Sequence, residues 1–120
     1  MGANVLVVDD SSSMRQMIEF TLKENGYAVD TAANGKEGCS KLNPDLKLII
    51  TDLYMPEMDG IEFIKQARAS GTNKFTPIIM LTTESEKEKQ DDGRQAGASA
   101  WLIKPFTPEK LMETIKKVIG

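Results

Sequence analysis

Five short apolar runs punctuate the chain: "NVLVVD" at 4–9, "YAVDTA" at 27–32, "LKLIIT" at 46–51, "TPIIMLT" at 76–82 and "ASAWLIK" at 98–104. Those at 4–9, 46–51 and 76–82 are nearly continuous in Val, Ile and Leu, the pattern of strands covered on both faces. Between the runs, apolar residues recur every three or four positions, the period of amphipathic helices. Met14, Met17, Ile18, Thr21 and Leu22 share one face of the first helix, and Gly26 stops it. Ser13 and Gln16 have capping-box spacing there, with Ser12 an equal candidate for the cap. A second helix is expected over 35–42, ended by Asn43-Pro44. The third opens on Asp59 and Glu62 at capping-box spacing and turns Ile61, Ile64 and Ala67 inward. The last takes Thr107 as its cap and Pro108 as its first residue, with Leu111, Ile115, Val118 and Ile119 toward the core.

Strand and helix alternate five times. That order predicts an α/β fold, (βα)5: a doubly wound, five-stranded parallel sheet with helices on both faces. One segment is weak. Residues 84–97, "ESEKEKQDDGRQAG", hold almost no apolar side chain before Ala96. Glu84–Glu88 repel and Glu86–Gln90 are neutral, so helical pairing adds little. Both an ordinary solvated face and a thinly packed, movable helix fit this composition.

Ligands of open parallel sheets bind beyond the carboxyl ends of the strands. The first strand ends there in Asp9 and Asp10, the third in Asp52, the fourth in Thr82 and the fifth in Lys104. Two like charges about 4 Å apart repel by roughly 4 kcal/mol at an effective dielectric of about 20. Three carboxylates therefore call for a cation. An all-oxygen set without histidine or cysteine selects a hard ion, Mg²⁺ first, with Mn²⁺ or Ca²⁺ next. A lysine added to a metal site becomes useful when a further anion, such as a phosphoryl group, needs neutralising. Thr82 can donate a hydrogen bond to the same oxygens, and an aspartate can accept the group as an acyl phosphate.

Composition narrows the chemistry further. None of the 120 residues is histidine, which excludes histidine triads, histidine zinc sites and an internal phosphohistidine. The net charge of −3 argues against nucleic acid or an anionic membrane as partner. Lone Cys39 forms no internal disulfide and reads as packing, which together with the absence of an apolar stretch of about 20 residues points to a cytoplasmic location. The N-terminus has no basic start or cleavage site of a signal peptide. The size suits one domain over 1–120.

The stretches "VVDD" (7–10), "TDLYMPEMDG" (51–60), "LTTE" (81–84) and "WLIKPF" (101–106) together resemble a two-component receiver domain, and the resemblance covers the whole chain. "DDSSSMRQMI" and "AGASAWLIKPFTPEKL" are most similar to the stand-alone chemotaxis response regulators. The resemblance implies a flavodoxin-like sheet in the order 2-1-3-4-5 and a receiver without an output domain. It implies that Asp52 is the phosphoacceptor. Asp9, Asp10, Asp52 and the backbone carbonyl of Tyr54 would then hold Mg²⁺, while Lys104 and Thr82 bind phosphoryl oxygens. Lys104-Pro105 would be a cis peptide. The implied partners are a histidine kinase, a flagellar switch protein and a phosphatase, acting on a monomer that phosphorylates and dephosphorylates itself but turns over no substrate. The partner surface would lie on helix four, strand five and helix five, around Thr82, Trp101, Ile103 and Pro105.

Trp101 stands where tyrosine or phenylalanine is more usual in this family. It reads either as the residue that moves with Thr82 on phosphorylation or as a half-covered aromatic anchor on an edge strand. Thr83 and Glu84 flank the site, with tuning of dephosphorylation and a plain loop role both open. Met55 and Met58 read as gap fillers. Three competitors remain: a receiver in a non-chemotaxis phosphorelay, an interaction-only domain keeping the site as a relic, and an aspartate-nucleophile phosphatase. The last needs an acid two residues after its nucleophile, where this chain has Ser11 or Ser12. A flavodoxin, whose phosphate loop Ser11, Ser12 and Ser13 would have to form, is opposed by the two carboxylates beside it.

Overall fold

A computed structural model describes residues 4–83 and 88–119. In chain order the elements are β1 (Val5–Val8), α1 (Ser12–Glu24), β2 (Val29–Ala32), α2 (Gly35–Ser40), β3 (Leu48–Asp52), α3 (Gly60–Ala69), β4 (Ile78–Thr83), α4 (Lys89–Ala96), β5 (Ala100–Lys104) and α5 (Pro108–Ile119). All strand pairs are parallel, in the order β2-β1-β3-β4-β5. The fold class expected from the alternating pattern, and the strand order the receiver resemblance implies, are the ones observed.

Strand alternation divides the interior into two layers. Leu6, Val8, Ile49, Ile78 and Met80 face Phe63, Ile64 and Ala67 of α3. Val5, Val7, Leu48, Ile50, Ile79, Leu81 and Leu102 face Ile18 and Leu22 of α1 and Leu111 and Ile115 of α5. Central β1 and β3 are buried at every position, as their unbroken Val/Ile/Leu runs require. Edge strands β2 and β5 are only half-buried.

Local signals held at the starts of α3 and α5. The Asp59 carboxylate accepts from the Glu62 N–H at 2.8 Å, and the Thr107 hydroxyl from the Lys110 N–H at 3.1 Å. At α1 the cap is Ser11, neither Ser12 nor Ser13: its hydroxyl accepts from the Met14 N–H. The chain leaves Asp9 so tightly that the first serine already stands at the helix entrance. β2 begins two residues later than expected, because the Tyr27 N–H returns to the Leu22 carbonyl around Gly26, whose φ of 90° suits a residue without Cβ. α2 stops at Ser40, before Leu42; Lys41 instead sends its ammonium to Asp30, Glu37 and the Thr31 carbonyl. The described part of the polar fourth segment is helical from Lys89; Glu84 and Glu86 lie outside the described residues. No described helix is long and apolar enough to cross a membrane.

Candidate functional site

β1 and β3 pair with Val8 opposite Thr51, so Asp9 and Asp52 leave neighbouring strands at the same edge. Carboxylate oxygens of Asp9, Asp10 and Asp52 all lie within 4.8 Å of one another. Asp9 is fully buried, Asp52 retains 9% of its surface and Asp10 is exposed. The cluster is therefore graded from a dry interior to open solvent.

β5 delivers the opposing charge from beyond β4. Lys104 Nζ stands 3.0 Å from Asp52 Oδ1, to which it donates a hydrogen bond, and 3.6 Å from Asp9 Oδ2. The Lys104-Pro105 peptide that follows is cis. The Leu53 N–H also donates to Asp52 Oδ1, and the Ser11 N–H donates to Asp9 Oδ1. Asp9 Oδ2 is buried without a hydrogen-bond donor. So is the Thr82 hydroxyl at the end of β4, which has no hydrogen-bond partner. Buried polar groups are nearly always satisfied, so these two atoms leave hydrogen-bonding capacity unused at one sheet edge.

The charges interact as the geometry demands. Burial raises the Asp9 carboxyl above its ordinary value; Asp10 adds to this, while the Ser11 N–H and Lys104 oppose it. Burial, then the charge of Asp9, likewise raises Asp52 against the pull of Lys104 and the Leu53 N–H. Burial works to lower the Lys104 ammonium, but the hydrogen bond and charge of Asp52, followed by Asp9, outweigh it and leave Lys104 raised. One ammonium thus faces more than one buried negative charge. A hard divalent cation fits this donor set, and the undonated Asp9 Oδ2 is an oxygen available to it.

Several contributors to the site were absent from the sequence reading. Arg15 of α1 donates to the Asp9 carbonyl at 2.6 Å, fastening the helix to the strand end. After β3 the chain doubles back through Glu57, at φ 69°, and the Gly60 N–H reaches the Leu53 carbonyl at 2.6 Å. A Cβ on Gly60 would collide with the Asp52 carbonyl oxygen. "DG" at 59–60 was legible as a helix start; its close approach to Asp52 was not. Tyr54 lies in this loop and is 53% exposed. Met55 is buried and Met58 packs against the core, as gap fillers do.

Around the edge strand, Trp101 and Ile103 are half-buried. With Gln90, Pro105, Phe106 and Lys110 they line a groove of about 550 Å³ between α4, β5 and α5. Trp101 packs against the core on the α3 side of the sheet. Ile103 pairs in register with Thr82. Thr83 continues β4 beside the site, while Glu84 lies outside the described residues.

The model of the response regulator receiver domain matches residues 5–116. The chain belongs to the response regulator receiver family. A chemotaxis protein CheY1 of Helicobacter pylori is 45% identical over 119 residues, covering 97% of this chain and 96% of that protein. A CheY homolog of Campylobacter jejuni is 44% identical, covering 97% and 92%. Among solved structures, the chemotaxis protein CheY4 of Vibrio cholerae aligns with a TM-score of 0.90 at 48% identity, covering 98% of this receiver and 99% of that chain. Receiver domains are signalling modules of two-component systems, and the acidic cluster of this receiver stands at its ligand edge.

Proposed function

We propose that this receiver is a phosphorylation-activated switch of the chemotaxis kind, in which Asp52 accepts a phosphoryl group from a histidine kinase's phosphohistidine. The observation that carries the reading is the convergence of Asp9, Asp10 and Asp52 with Lys104, together with the unsatisfied Thr82 hydroxyl. An Asp52 carboxylate oxygen attacks phosphorus; the P–N bond to the kinase imidazole breaks, and its electron pair returns to the ring. Lys104 lies within reach of the oxygens over which charge spreads, and Thr82 offers a hydroxyl for one of them. Asp9, Asp10, Asp52 and the Tyr54 carbonyl are the groups that would hold Mg²⁺, or Mn²⁺ in its place. When bound, the ion supplies further neutralisation of phosphoryl charge.

The acyl phosphate carries roughly −1.5 to −2 charge where the Asp52 carboxylate carried −1, and it sets that charge farther out from the backbone. Lys104 is drawn from its shared position toward that charge, and Thr82 toward the new oxygens. Lys104 ends the strand that lines the α4–β5–α5 groove, and Thr82 pairs in register with Ile103 of that strand. That links the site to a docking face for an output protein, by the relatives' names a component of the chemotaxis machinery, with a flagellar switch protein as the partner. The aspartate-phosphatase alternative has less support: Ser11, two residues after Asp9, is engaged as the α1 cap and is no acid.

The test is to supply a small phosphodonor with Mg²⁺ and to follow a base-labile label. Labelling of the wild type and its loss in Asp52→Asn is the expected result. An unlabelled wild type, or undiminished label in Asp52→Asn, overturns the reading.

A further inference from the structure

The one tryptophan is not held by its own strand alone. The Arg94 guanidinium of α4 lies over the indole of Trp101, 5.0 Å from the ring centroid. Arg94 Nη1 also stands 3.9 Å from Asp91 Oδ1, one turn earlier in the helix. Indole Nε1 is buried with no hydrogen-bond partner, so no polar anchor fixes the ring. Among the described residues, apolar packing against the α3-side core and the Arg94 face hold it.

The helix that supplies Arg94 is itself held unevenly. At its C-terminal end Arg68 donates from Nε and Nη2 to the Gly97 carbonyl, and from Nη1 to the carbonyls of Asn73 and Thr76. Gly93 sits so close to Met80 that a Cβ would meet the methionine methyl at 2.5 Å. At the other end Glu88 makes no side-chain capping bond. α4 is thus pinned at its C-terminal end, while Glu88 at its start supplies no capping bond.

We infer that Arg94 is a positioning residue for Trp101. Its stacked guanidinium ties the indole to α4, so that the shape of the α4–β5–α5 groove follows the position of this helix. A stacked guanidinium is flat and weakly hydrated, which suits it to an aromatic face better than an ammonium. Neither residue belongs to the carboxylate–lysine cluster. The tie therefore acts on what the phosphorylated site communicates and leaves the chemistry itself alone. It rests on the proposed reading only for its consequence; the contact stands without it.

Trp101 is its own reporter. In the unphosphorylated full chain, acrylamide quenching of tryptophan is compared between wild type, Arg94→Ala and Arg94→Lys. The quenching constant is expected to rise about two- to fivefold in Arg94→Ala, the range of an exposed cation–π contact, with Arg94→Lys between the two. Label uptake in the presence of phosphodonor and Mg²⁺ is expected to be the same in all three. The emission change that follows labelling is expected to shrink at least twofold in Arg94→Ala. Equal quenching of wild type and Arg94→Ala overturns the inference, even if the variant melts at a lower temperature, because a purely helix-stabilising arginine has that signature. A wild type that takes up no label defeats the phosphoacceptor reading instead, and the quenching comparison still decides the tie.

Discussion

Lys104 donates a 3.0 Å hydrogen bond to Asp52 across 52 residues of chain, joining the end of β5 to the end of β3 over the intervening β4. The same ammonium is 3.6 Å from the fully buried Asp9, so it is the counter-ion of the dry part of the cluster.

Removing that counter-ion leaves buried like charges facing each other. In chelator, Lys104→Met is expected to destabilise the fold by about 3 kcal/mol, the scale for breaking a buried pair from one side. Urea unfolding measures this, and millimolar Mg²⁺ is expected to return part of the loss. No loss would mean that the carboxylates are already neutral or well solvated.

Asp9→Asn acts in the opposite sense. It keeps an oxygen for the Ser11 N–H while removing a charge that burial and Asp10 disfavour. Without metal the variant is expected to gain about 1 kcal/mol. The added stability that Mg²⁺ confers on the wild type is expected to disappear, a change that calorimetry with and without the ion reads directly. Asp10→Asn is exposed and should show the same pair of effects with a smaller gain.

The pH dependence follows from the directions of the shifts. Asp9 and Asp52 are raised from 3.8, so the folded chain holds these protons to higher pH than the unfolded chain does. Stability from these two groups is therefore largest at low pH and falls as pH rises from 3.8 through their raised values. In chelator, the wild type is expected to lose ground against Asp9→Asn over that window, and the gap to level off above it. Lys104 is raised from 10.5, so its contribution is present below 10.5 and is lost as pH climbs through the raised value. Stability curves of both proteins across pH check the two windows; a gap that narrows upward from 3.8 contradicts the assignment.

Gly60→Ala tests the backbone behind Asp52. The added Cβ meets the Asp52 carbonyl oxygen and the Leu53 Cα, neither of which is the end of a flexible side chain. A destabilisation of about 3 kcal/mol is expected, with reduced labelling of whatever fraction folds. Asp59→Ala removes only the α3 cap bond and is expected to cost about 1 kcal/mol with labelling intact. Equal effects of the two variants would show that the close approach has no bearing on the site.

The parts legible in the sequence are those written by near neighbours. Unbroken Val/Ile/Leu runs yielded β1, β3 and β4, a 3.6-residue period yielded the helices, and Asp59 and Thr107 marked two of their starts. Asp9, Asp10, Asp52 and Lys104 could be placed at one edge because parallel strands all point the same way. Their roles, and the order of the strands, came from the receiver resemblance.

Other features depended on which distant segments became neighbours. Phe63, fully buried, is the largest core side chain of α3, yet the expected inward face ran through Ile61, Ile64 and Ala67, because periodicity fixes a face only to within a residue. Arg15 at the Asp9 carbonyl, Gly60 beneath Asp52 and Arg68 on the Gly97 carbonyl look like ordinary surface or turn residues until the chain closes. Trp101 changes most. In sequence it read as a residue coupled to Thr82 or as an anchor on an edge strand; its contact with the Arg94 guanidinium belongs to the packing of α4. The sequence by itself determined the elements and the chemistry at their ends, since those rest on local hydrogen bonding and alternation. Tertiary structure alone decided which charge meets which carboxylate and what holds the tryptophan, since those contacts join groups brought together only when the sheet and its helices assemble.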